Sequence, residues 1–72
     1  NGVAGSFNNL GNTYNRLGEY QKAIEFFQQS LSIFQEIGDR NGVAGSFMGL
    51  GNAYESLGEY QKAIEFYQQS VS

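Results

Sequence analysis

Cysteine and histidine are both absent from this chain of 72 residues. That excludes disulfides and thiolate chemistry, and it removes the usual nucleophile–base pairs and imidazole metal sites. The serines therefore have no base to activate them. The carboxylates of Glu19, Glu25, Glu36, Asp39, Glu55, Glu59 and Glu65 could pair as acid and base, but nothing in their spacing converges. No enzymatic activity, cofactor or metal is expected. Cations are also few: four Lys and Arg against seven Asp and Glu give a net charge of −3 and a pI near 4.5. A nucleic-acid or anionic-membrane surface needs clustered Lys and Arg, so neither partner is expected. No apolar run approaches the ~18 residues that a membrane helix needs. Proline is missing too, while glycine occurs ten times.

What is present is a repetition. Leu10 to Phe27 read LGNTYNRLGEYQKAIEFF, and Leu50 to Tyr67 read LGNAYESLGEYQKAIEFY. Residues 1–32 and 41–72 differ at seven aligned pairs (8/48, 9/49, 13/53, 15/55, 16/56, 27/67 and 31/71). A fixed period of this size signals stacked repeats. Within the unit, Phe7, Leu10, Tyr14 and Leu17 step by three and four, and Tyr20, Ala23/Ile24, Phe27, Leu31 and Phe34 do the same. That is a helical period, not strand alternation. Gly18, Gly38 and Gly58 follow the last periodic residues, where glycine takes the left-handed stop conformation cheaply.

The spacing predicts helices over about 3–17, 20–37, 40–57 and from Tyr60 to the chain end. Repeat one spans about 1–38 and repeat two about 39–72, in a single module. Asp39 is placed to cap the third helix. Asn1 and Gly2 read as linker remnants, and the whole reads as a piece of a longer array. The second helix carries a stripe wide enough to require two neighbours. Gly11 and Gly51 would let paired helices approach closely. Gly45 and Gly49 have no reason visible in the sequence, though each costs about 1 kcal/mol in a helix interior.

The order Leu10, Gly11, Tyr14, Gly18, Tyr20, Ala23, Phe27, repeated by Leu50, Gly51, Tyr54, Gly58, Tyr60, Ala63, Tyr67, resembles the tetratricopeptide repeat. Phe7 and Phe47 stand where the family usually has tryptophan. Ser30 and Ser70 stand at its late small position, and its closing proline is missing. The period of 40 and the Gly38-Asp39-Arg40 linker resemble the long-repeat branch seen in kinesin light chains, spindle-orientation scaffolds and bacterial arrays. The resemblance implies an all-α fold of two stacked antiparallel helix-turn-helix hairpins, a fragment of a right-handed α-solenoid. It also implies that the partner is a protein or peptide. The compartment stays open, with the cytoplasm as the expectation.

In that family the first-helix face away from the apolar stripe lines a concave groove. Here it carries Asn8, Asn9, Asn12, Asn15 and Arg16, with Met48, Asn52, Glu55 and Ser56 in the second repeat. Asn12 and Asn52 match the family's recurrent groove asparagine, and an amide can both donate to and accept from an extended peptide. Arg16 and the amides lead to an expectation of acidic or neutral peptides, with Phe7, Leu10, Tyr14 and Leu17 buried behind them. A stacking unit without a ligand is the alternative. Two repeats are fewer than the three that usually stand alone, so self-association through Ile64, Phe66 and Tyr67 is also expected, by end-on stacking or by a domain swap in which the 38–41 linker straightens.

Overall fold

The computed structural model describes residues 2–71, and Asn1 and Ser72 lie outside them. Four helices follow in order: α1 (Gly2–Arg16), α2 (Tyr20–Ile37), α3 (Arg40–Ser56) and α4 (Tyr60–Ser70). Among the described residues there is no strand. Both first helices stop one residue earlier than the apolar spacing predicts.

The stops are where the glycines are. Gly18, Gly38 and Gly58 have φ of 83°, 74° and 82°, and no other described residue has a positive φ. Each turn closes the same way, as the next residue's N–H reaches back across the last helical turn. Glu19 N–H donates to the Tyr14 carbonyl at 2.9 Å, Asp39 to Phe34 at 3.0 Å and Glu59 to Tyr54 at 2.9 Å. These bonds satisfy carbonyls that a helix end leaves open. Asp39 starts α3 as expected, its carboxylate accepting from Gly42 N–H at 3.0 Å.

Helix α2 packs against both α1 and α3, α4 packs against α3, and α1 also touches α3. Among the described residues α1 and α4 do not meet. The core cluster is Ala23, Ile24 and Phe27 of α2 with Leu50 and Ala53 of α3. Each hairpin adds an aromatic stack of its own. Phe26 lies between Phe7 and Tyr14, with ring centroids 5.9 and 5.4 Å apart. Phe66 lies between Phe47 and Tyr54 at 6.1 and 5.4 Å. Lys22 sits over the Tyr14 ring and Lys62 over Tyr54, and each lysine also pairs with the glutamate three residues before it, at 3.5 and 3.4 Å. These exposed pairs contribute little to stability. They do hold the lysine stems over the rings and commit both lysines to their own hairpins.

Two sets of residues depart from the sequence expectation. Leu10 and Leu17 are 40% and 65% exposed, whereas Leu50, which matches Leu10, is 1% exposed. The buried face of α1 runs instead through Ala4 and Gly11, because α1 has a helical neighbour on one side only within residues 2–71. The second departure is Gly49, which has a plain reason. A Cβ there would lie under 3.0 Å from the Phe27 ring, and one on Gly11 would lie 2.8 Å from the same ring. Phe27 thus fills a slot between two helices whose side walls are glycine. Gly42 makes the same room for Phe34. A Cβ on Gly45 would meet only the Asn8 amide nitrogen at 3.7 Å, an ordinary contact, so nothing in the structure requires glycine there.

Candidate functional site

The asparagine-rich face of the first helices divides into three environments. Asn8 turns inward. Its Oδ1 accepts from the Ser30 hydroxyl at 2.5 Å and from the Ser46 hydroxyl at 3.1 Å, and the two hydroxyls are 2.9 Å apart. Ser30 and Ser46 are fully buried, so this amide completes a polar knot between the hairpins. Buried polar groups cost free energy unless paired, and Asn8 supplies the shared acceptor.

Asn9, Asn12 and Arg16 are exposed on α1 and Met48 on α3. The Asn9 carbonyl accepts from the Thr13 hydroxyl at 3.0 Å. None of these four lines the polar concavity that the described residues form between the two first helices. That concavity lies between the last turns of α1 and α3 and the first residue of α4, and its walls are Asn15, Asn52, Glu55, Ser56 and Tyr60. Four of the nine residues expected on the groove therefore come together from both repeats. The walls contain one carboxylate and no cation, which removes the reason to expect acidic peptides.

Tyr67 braces this site from behind. Its hydroxyl reaches Asn52 Oδ1 at 2.5 Å and Glu55 Oε1 at 2.9 Å, directing its single proton between the two acceptors. Burial, and then the hydrogen bond to Glu55 and the charge of that carboxylate, push the Tyr67 hydroxyl up to about 12. The bond uses the oxygen of the Asn52 amide and leaves its N–H₂ group for another acceptor. Repeat one has Phe27 in this place, and Asn12 has no such brace. Across the concavity, Asn15 Oδ1 is a buried side-chain oxygen without a partner.

Tyr60 was not foreseen as a groove residue, because its spacing reads as core. Its match Tyr20 is half-buried and shares a cleft with Leu57 of the following repeat. Tyr60 has no such leucine within residues 2–71, so its ring faces the groove's edge.

The residues expected to mediate self-association are placed differently from one another. Ile64 is exposed, Tyr67 is half-buried against Gly51, and Phe66 is held in its own aromatic stack. No group of three His, Cys, Asp or Glu side chains that could hold a metal occurs among the described residues. No helix there is long and apolar enough to cross a membrane.

The family model described as Tetratricopeptide repeat matches residues 2–72. The chain belongs to the tetratricopeptide repeat family. No curated protein shows a significant match to it. Tetratricopeptide repeats are protein-interaction and scaffold modules, typically without enzymatic activity, and they bind proteins or peptides. The two glycine-stopped hairpins and the glycine-walled slot are this chain's version of that repeat.

Proposed function

We propose that this tetratricopeptide chain holds a neutral, extended peptide in the groove between the ends of α1 and α3. One observation carries the reading: Asn15, Asn52, Glu55, Ser56 and Tyr60, drawn from two repeats, line a single concavity. A peptide backbone offers alternating N–H and C=O groups, and this wall offers both kinds of partner. The Asn52 amide donates, Glu55 accepts, and Ser56 does either. An Asn15 amide turned into the groove recovers a hydrogen bond that folding leaves unmade, a gain of about 1 kcal/mol. Titration calorimetry of neutral peptides against the wild-type chain and Asn52→Ala tests this. The variant should bind roughly three to ten times more weakly. No heat from any peptide at millimolar concentration would leave the groove without a ligand.

A second reading rests on a different observation. Ile24 and Leu50 are buried where the hairpins meet, whereas their matches Ile64 and Leu10 are exposed on the outer faces. On this reading the outer faces of α1 and α4 are stacking surfaces for further hairpins, and the chain is a unit of a superhelix. Burying such side chains is worth about 1.5–3 kcal/mol each. Light scattering over a concentration series checks whether a second copy can be that hairpin.

A further inference from the structure

The stacking reading leaves open which hairpin fits the outer face of α4, and residue 9 answers it. At the internal junction the Phe27 ring needs two glycine walls, Gly11 in its own hairpin and Gly49 from the next. Tyr67 matches Phe27, and the first wall is reproduced there: a Cβ on Gly51 would lie 2.6 Å from the Tyr67 ring. The second wall must come from whatever packs on α4. In a second copy docked in the register of the internal junction, the residue standing in the place of Gly49 is Asn9. Its Cβ would enter the ring, and its amide would follow. The polar knot fails at the same contact. A docked copy brings Ser6 to Ser70, but Met48 stands where Asn8 supplies the shared acceptor.

Resting on the stacking reading, we infer that Asn9 bars a second copy from the outer face of α4. That face takes instead a hairpin whose first helix carries glycine in the place of Gly49, leucine or a like residue in the place of Leu50, and a small residue in the place of Ser46. The leucine covers Ile64 as Leu50 covers Ile24. The internal junction is the template for each of these requirements.

Sedimentation equilibrium on the 72-residue chain tests the inference. Asn9 is exposed and its bond from the Thr13 hydroxyl is made by the backbone carbonyl, which glycine keeps, so Asn9→Gly should fold, as its helical circular dichroism will show. Asn9→Gly should self-associate at least about tenfold more tightly than the wild type, as removal of an overpacked contact predicts. Adding Ile64→Asp should return it to a monomer. Asn9→Ala keeps the Cβ and should stay as monomeric as the wild type. Equal association of the wild type and Asn9→Gly, or of Asn9→Ala and Asn9→Gly, would overturn the inference and leave stacking standing. If wild type and Asn9→Gly are both monomeric at the highest concentration reached, the inference falls, whereas association of Asn9→Gly that Ile64→Asp does not reverse runs through another face and removes the support for stacking.

Discussion

Ile24 and Ile64 are the same residue at the same point of the same repeat, yet one is 6% exposed and the other 47%. The sequence around them is nearly identical. The difference is position: α2 is sandwiched by α1 and α3, whereas α4 meets α3 alone. Burial in a repeat protein thus belongs to the junction more than to the repeat, as nearest-neighbour stacking requires. The few changes between the repeats follow the same division. Phe27 becomes Tyr67 where the ring loses its second wall, and the added hydroxyl finds Asn52 and Glu55.

Truncating the matched aromatics should separate junction from edge most strongly. Phe27→Ala should cost about 3–5 kcal/mol, as for a fully buried phenylalanine, a large fraction of a small domain's stability. Tyr67→Ala should cost clearly less, because Tyr67 is half-buried. Urea denaturation measures both, and equal losses would end the distinction. The pair 9/49 should give opposite signs. Gly49→Ala crowds the Phe27 ring and should destabilise by about 1–3 kcal/mol, despite alanine's better helix propensity. Asn9→Ala meets nothing and should stabilise by a few tenths, up to about 0.6 kcal/mol. The linker cap comes next: Asp39→Ala should cost about 1 kcal/mol, whereas Glu59→Ala should cost little, since Glu59 makes no side-chain cap bond.

The last contrast is in pH. The Tyr67 hydroxyl is raised in the fold from 10.0 to about 12, so the folded state favours its neutral form. That contribution is fully present below pH 10 and is lost as pH rises through about 12. Ultraviolet titration should show one of the five tyrosines ionising late, and Tyr67→Phe should remove it. Phe27 can make no such contribution, so the alkaline loss is confined to repeat two.

Much of this was legible in the residues. Three glycines marked three turns because only a left-handed residue ends these helices cheaply, and Asp39 declared its cap. The apolar spacing gave the helices and the need of α2 for two neighbours. It misled at Leu10 and Leu17, because a period identifies a stripe but not whether a neighbour lies against it. Gly49 was opaque for a related reason: its partner Phe27 is 22 residues away, and a slot exists only once three helices are assembled. The groove was half legible. Asn15, Asn52, Glu55 and Ser56 line it, but nothing in a run of asparagines distinguished Asn8, whose partners Ser30 and Ser46 lie in two other helices.

Because α1 and α4 do not pack against each other among the described residues, no helix packing latches one end of the described fold to the other. Tension applied between its termini would load the helices in series, as links of a chain. The weakest link is α4, which buries only Ala63, against five residues buried by α2. Such a body should yield gradually. It should lengthen by peeling α4 away first and recoil by local rezipping onto α3, so that it behaves as a soft spring and not as a clasp.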